Sequence, residues 1–237
     1  MPNAVTQERI LRCRSIGIPK RHFVDLTHSG HPEASLRRRT TFGNKQGLIF
    51  IVSGPSGSGK TTLAKRLLGN KTLKNKLVRP VSFTTRPKRS GEQDAKDYFF
   101  INEKRFRQEQ KEKKILEWTK YLGYYYATPK DFIERQLDKA KHVILCLDLK
   151  GAFTVKRQYP RNAVTIFVVP PSLDALLHRI TSRCNKTKEE EVRQRLTLAK
   201  QELTACDRYD YCVVNKDLNQ AIKQLQGIIL KEIAYLK

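Results

Sequence analysis

The sequence predicts an α/β fold of three layers, with helices on both faces of a mostly parallel sheet. Three observations predict it. Short apolar runs rich in Val, Ile and Leu recur along the chain, each long enough for one strand. Between them lie segments of helical periodicity with legible starts and stops. A glycine-rich loop joins the first such run to the first such helix. Alternation of this kind is the pattern of a parallel sheet whose crossovers are helices.

Gly47–Ser53 (GLIFIVS) reads as a buried strand and Thr61–Leu68 as the helix after it, with Gly69-Asn70 supplying the stop. A strand is expected around Leu77–Val81. Val143–Leu147 and Val164–Val169 are further β-branched strands, and Tyr211–Val214 is a short one. Thr128-Pro129 reads as a cap and first helical residue before Lys130–Ala140. Ser172 plays the capping part for Leu173–Arg183, and Thr187 with Glu190 forms a capping-box pattern ahead of Glu191–Cys206. Asp217 opens the last helix, whose apolar face runs Leu218, Ala221, Ile222, Leu225, Ile228, Ile229 and Ile233.

Composition bounds the function. A chain of 237 residues, 39% hydrophobic, can bury a sizeable core. No apolar run approaches the ~18 residues of a membrane span, so no membrane partner is expected. Forty-seven Lys and Arg against twenty-three Asp and Glu give a net charge of +24, a field that attracts polyanions. Residues 1–46 carry nine basic and three acidic residues, a net +6, and the remaining charge is diffuse rather than one dense block. With no nucleic-acid module in the chain, nucleic acid is not a required partner, although the basic surface can bind it weakly. Residues 1–46 lack sustained periodicity and read as a mobile, basic extension dispensable for catalysis, with the folded domain at 47–237. That extension contains Glu8, Asp25 and Glu33 and is poor in Ser, which argues against an import signal and for a cytoplasmic protein. The five cysteines (Cys13, Cys146, Cys184, Cys206, Cys212) form no C-x-x-C pair and have no His at metal-ligand spacing. They are expected to be reduced thiols.

Gly54-Pro55-Ser56-Gly57-Ser58-Gly59-Lys60-Thr61 fits G-x-x-x-x-G-K-[ST] between a strand and a helix, the context that motif requires. Glycines let the backbone wrap so that several N–H groups point at phosphate oxygens, and the helix adds its positive end. Lys60 is placed to neutralise β- and γ-phosphates, and the Thr61 hydroxyl to complete a Mg²⁺ shell. Asp148, at the end of the neighbouring strand, is the acidic residue that would orient the metal or its waters. The fold is therefore expected to be that of a P-loop NTPase, binding a nucleoside triphosphate with Mg²⁺.

Downstream, Ser82-Phe83-Thr84-Thr85-Arg86-Pro87-Lys88-Arg89-Ser90-Gly91-Glu92 places two guanidinium forks and several hydroxyls on an irregular segment, a site for a phosphate monoester. At this string the sequence resembles the guanylate kinase family of nucleoside monophosphate kinases. The resemblance runs from about residue 47 to 233. It continues through Asp97-Tyr98-Phe99-Phe100, Glu117-Trp118, Gly123-Tyr124-Tyr125-Tyr126, the segment around Arg179 and Arg183, Tyr209-Asp210-Tyr211 and Val213-Val214-Asn215.

The resemblance implies transfer of the γ-phosphate of ATP to GMP, and to dGMP, by a monomer or weak dimer. It implies a small GMP-binding part at about 82–130 and a helical lid at about 179–196. Ser82, Arg86, Arg89, Tyr98 and Tyr126 would hold the acceptor phosphate, with Glu92 bracing the arginines. Glu117 and Thr128 would read the base. A carboxylate can accept from guanine N1–H and the 2-amino group together, whereas adenine N1 is an acceptor and is repelled. Arg179, Arg183 and Arg195 would close over the triphosphate, and Asn215 would lie near the ATP adenine.

The chain departs from the family pattern at named positions. Ala95 and Ala127 stand where glycine is usual, and each is strained if its backbone needs positive φ. Cys146 and Lys150 replace the first Asp and the Gln of a D-x-D-x-Q-G string, and Cys184 replaces a Gly after Arg183. The alternative function is a catalytically weak binding or scaffold domain of the same fold.

Overall fold

A computed structural model describes residues 47–182 and 189–236. Its larger sheet has five strands: β1 (Ile49–Ser53), β2 (Leu77–Val78), β7 (His142–Cys146), β8 (Ala163–Val169) and β9 (Tyr211–Val214). They lie in the order β2-β7-β1-β8-β9 and every pairing is parallel. Alternation along the strands divides the core. Ile49, Ile51, Phe167 and Val169 face one layer, and Phe50, Val52, Ile166 and Val168 face the other.

Helices α1 (Lys60–Leu68) and α7 (Leu218–Ala234) cover the second face with Leu63, Leu67, Leu225 and Ile229. The first is covered by α3 (Lys130–Asp138) and α4 (Leu149–Gln158), through Ile133, Leu137, Ala152 and Val155. Helix α5 (Leu173–Thr181) packs on α6 (Glu189–Leu203) through Leu176, Ile180 and Ala199. The three-layer α/β fold is as the sequence predicts.

A second, four-stranded sheet rises beside it: β3 (Phe83–Thr84), β4 (Phe99–Phe100), β5 (Ile115–Tyr121) and β6 (Tyr124–Pro129), in the order β4-β3-β6-β5. Helix α2 (Glu103–Lys111), capped by the Asn102 side chain, backs it with Phe106 stacked on Tyr125.

Several local expectations change. The strand expected at Leu77–Val81 stops at Val78, because Pro80 has no N–H for a ladder. Thr128 does not cap α3. Its hydroxyl is drawn to Glu117 across the small sheet, and Pro129 takes the cap position without a side-chain bond. Ser172 and Asp217 do cap, accepting from Ala175 and Gln220. Helix α6 ends at Leu203 and is followed by a 3₁₀ turn at Cys206–Arg208. Through that turn Cys206 and Cys212 are joined as a disulfide, which corrects their reading as reduced thiols. Cys146 is free. Residues 1–46, Arg183, Cys184 and Thr187 lie outside the described residues. Among the described residues no helix is long and apolar enough to cross a membrane.

Asp210 shows how the short outer strand is fixed. Its Oδ2 accepts from the Thr165 N–H (2.8 Å), the Thr165 hydroxyl (3.0 Å) and Lys156 (2.9 Å), tying β9 to β8. Tyr209, beside it, donates to Ser53 at the end of β1 (2.9 Å).

Candidate active site

The eight-residue loop Gly54–Thr61 leaves β1 and enters α1 at the carboxyl edge of the parallel sheet, where open α/β folds bind ligands. Gly59 caps α1 with φ +99, and a Cβ there would lie 2.3 Å from Asn215 Nδ2. Asn215 in turn donates that amide to the Ser58 carbonyl (2.8 Å). It thus braces the loop from β9, and no larger residue fits at Gly59. No acidic residue sits in the first turn of α1, so the positive helix end is uncompensated and favours an anion. Lys60 donates to the carbonyls of Gly54 and Pro55, arching over its own loop. The Ser58 hydroxyl is buried without a hydrogen-bond partner.

A cavity of about 260 Å³ opens from Lys60 and Thr61 towards the small sheet. At one end, Ser82, Arg89, Tyr98 and Tyr126 line it. Arg86 stands behind them. Its Nη2 meets both Glu92 oxygens (2.8 and 3.0 Å), its Nη1 donates to the Pro87 carbonyl (2.7 Å), and its guanidinium lies over Tyr98 and Phe100. Burial works against the charges of this pair. The Arg86 contact and the Arg89 N–H nevertheless hold the Glu92 carboxyl below its usual range, and Glu92 and Tyr126 raise Arg86 above its own. Glu92 therefore braces the Arg86 side chain but only the Arg89 backbone (2.9 Å), leaving the Arg89 guanidinium to the cavity. The Thr84 hydroxyl donates to the Tyr125 carbonyl, and the Thr85 hydroxyl accepts from the Tyr125 N–H, pinning β3 to β6.

The other end holds a buried carboxylate. Glu117 and Thr128 are cross-strand partners on β5 and β6, and the Thr128 hydroxyl donates to Glu117 (2.6 Å). Glu117 is 5% exposed. Burial raises its pKa to about 7 against the pull of the Thr128 bond, and Asp148 adds repulsion. Asp148 caps α4, accepting from the Gly151 N–H (2.8 Å). A Cβ on Gly151 would lie 2.6 Å from Glu117 Oε2, so glycine is what lets α4 approach the carboxylate. Asp148 also lines the cavity.

Arg195, on α6, is buried and lines the same cavity. Arg179 instead donates to the Asn215 carbonyl (3.3 Å) behind the loop. Two charged lining residues escape the sequence reading. Glu202, burial-raised to about 7 and further pushed up by Asp148 though drawn down by Lys60, lies seven residues after Arg195. Two helical turns put both on one face, which is the signal that finds it. Arg79 follows β2 and belongs to no motif. Of the departures, Ala95 does sit in the left-handed region (φ 59), whereas Ala127 is an ordinary buried residue of β6.

A phosphate-binding loop facing a pocket with its own cations and a buried carboxylate defines a P-loop kinase of nucleoside monophosphates. The chain matches the guanylate kinase family over residues 46–232. It is 43% identical over 189 residues to guanylate kinase of Thermotoga maritima, covering 80% of this chain and 89% of that protein. It is 40% identical over 188 residues to guanylate kinase of Caldanaerobacter subterraneus, covering 79% and 89%. The crystal structure of guanylate kinase from Anaplasma phagocytophilum superposes with a TM-score of 0.66 at 30% identity, covering 80% of this chain and 87% of that one. The chain belongs to the guanylate kinase family.

Proposed function

We propose that this chain transfers the γ-phosphate of ATP to GMP, giving ADP and GDP, with dGMP a second acceptor. The observation that carries the base specificity is the buried Glu117–Thr128 pair in the cavity that also holds Lys60. Ionised Glu117 accepts from guanine N1–H and the 2-amino group. Adenine offers an acceptor at N1 and would leave the buried carboxylate with no donor beyond Thr128.

The GMP phosphate oxygen is already an anionic nucleophile, so the reaction needs in-line placement and charge neutralisation rather than a base. Ser82, Arg89, Tyr98 and Tyr126 hold that phosphate, and Arg86 and Glu92 fix the segment that carries Arg89. The Gly54–Thr61 backbone cradles the ATP phosphates, and Lys60 offsets the charge on the migrating group. Closure of the lid, about 179–196, would bring Arg179, Arg183 and Arg195 towards that group and exclude water. The donor set also suits magnesium. Among the described residues no cluster of three or more His, Cys, Asp or Glu converges, so a protein cage is not built. Magnesium instead takes one or two side-chain oxygens together with waters and substrate phosphates. Thr61 and Asp148 would hold it, and it would neutralise phosphate charge.

A coupled ADP-release assay with GMP, dGMP, AMP, CMP and UMP, using Lys60→Ala as the blank, tests the proposal. Turnover with the guanine nucleotides alone, absent from the blank, is expected. Turnover led by another monophosphate, or by none from folded protein, would refute it.

A further inference from the structure

The cavity contains a cation that the catalytic machinery above does not use. Arg79 stands one residue beyond β2 at the carboxyl edge of the parallel sheet. Next to it, Pro80 is buried and ends the strand, so the chain turns there and leaves Arg79 on the cavity rim. The side chain is half-buried. Among the described residues its guanidinium has no carboxylate partner, unlike Arg86, which is taken by Glu92. Its charge is felt at the hydroxyl of Tyr98 and at Cys146, the end of the adjoining strand β7. A half-buried guanidinium on a cavity wall with no carboxylate partner keeps its donors available to an anionic ligand.

From this placement we infer that Arg79 is a phosphate-binding residue of the acceptor site, a second guanidinium beside Arg89 for the phosphate of the bound nucleotide. Three features point to the phosphate rather than the base. Arg79 acts on Tyr98, which is at the phosphate end. The base end already holds a carboxylate and a hydroxyl matched to guanine. A planar fork with no internal partner fits the oxygens of a phosphate monoester. The inference rests on the reading of this cavity as the GMP site.

The test is calorimetric titration of the full chain, wild type and Arg79→Gln, with GMP, with guanosine and with ATP, and Arg79→Lys as the conservative control. Loss of a charge-assisted contact is expected to weaken GMP binding about 10- to 100-fold. Guanosine, which has no phosphate, and ATP should change less than about twofold, and Arg79→Lys should recover part of the loss. Equal weakening of GMP and guanosine would overturn the assignment, because it would mark a structural role. So would a loss that falls on ATP, or GMP binding unchanged by the glutamine. If wild type turns over GMP and Arg79→Gln is indifferent, only this assignment falls. If wild type binds no GMP, the acceptor-site reading falls with it.

Discussion

The loop side and the small-sheet side of the cavity are built for recognition by different physics. The Gly54–Thr61 loop is one continuous segment, and its donors are backbone N–H groups and a helix end. Its shape is enforced locally, by glycine conformations, and braced from one distant residue, Asn215. The acceptor side is assembled from pieces far apart in the chain: Ser82 before β3, Tyr98 before β4, Glu117 on β5, Thr128 on β6 and Asp148 before α4. Its specificity lies in side chains, and its central carboxylate is held close to its own titration point by burial. A backbone cradle tolerates any phosphate chain. A buried carboxylate accepts one hydrogen-bond pattern and penalises the rest.

The largest expected effect separates the two sides most cleanly. Lys60→Ala removes a charge that neutralises the ATP phosphates and the phosphoryl group as it moves, so kcat should fall about 10³-fold or more. GMP affinity measured by calorimetry should stay within about twofold. A comparable loss of GMP binding would mean that the sides are not separable.

Glu117→Ala is the reciprocal change. It removes the acceptor for two guanine donors, and kcat/KM for GMP should fall about 10²- to 10³-fold while KM for ATP is unchanged. Steady-state kinetics with each substrate varied would show it. A similar loss in KM for both substrates would point to collapse of the small sheet instead.

This contrast also governs what the sequence discloses. The loop was legible because its chemistry and its fold lie in one contiguous string between a strand and a helix. The parallel strands and the caps at Ser172 and Asp217 were legible for the same local reason. The small sheet was not. Its hairpin turns at Leu122-Gly123, both with positive φ, and a leucine in the first position gives none of the Asn-Gly or Asp-Gly signal of such turns. Thr128 misled because a cap is a local expectation, and a carboxylate eleven residues away offered a better partner. Arg79 stayed hidden because its role depends on neighbours that only the fold brings near.

Gly151→Ala sharpens the comparison without touching a ligand-contacting residue. A methyl group 2.6 Å from Glu117 Oε2 must displace that carboxylate, while alanine otherwise favours the helix. KM for GMP should rise about tenfold with ATP unaffected, since small misplacements of a positioned group are costly. A normal KM for GMP would show that the carboxylate has room to yield.

Acidity gives an effect of similar size. In the proposed site guanine donates to ionised Glu117 only, and the ionised fraction falls as pH falls through about 7. Guanosine, free of a phosphate that titrates near pH 6, should bind about tenfold more weakly at pH 6 than at pH 8. Asp148→Asn removes the like charge that helps raise Glu117, so the midpoint should move to lower pH. A flat profile between pH 6 and 8 would remove Glu117 from the base-binding role.

The smallest effect compares two alanines that the family pattern treats alike. Ala95 holds φ 59 and is exposed, whereas Ala127 lies in β6, 1% exposed, against Phe106 and Tyr125. For Ala95→Gly, relief of the left-handed backbone, roughly 1–2 kcal/mol, is partly offset by the entropy that glycine loses on folding, about 0.5–1 kcal/mol. The net gain should raise Tm by about 1–3 °C. For Ala127→Gly there is no strain to relieve, and the change removes a buried methyl from a strand. Stability should fall by about 1 kcal/mol or more, a Tm drop of about 2–4 °C. Thermal melts of the two variants should therefore shift in opposite directions. If both fall, the backbone at Ala95 is not strained, and the alanine there is tolerated for the same reason as the one in β6.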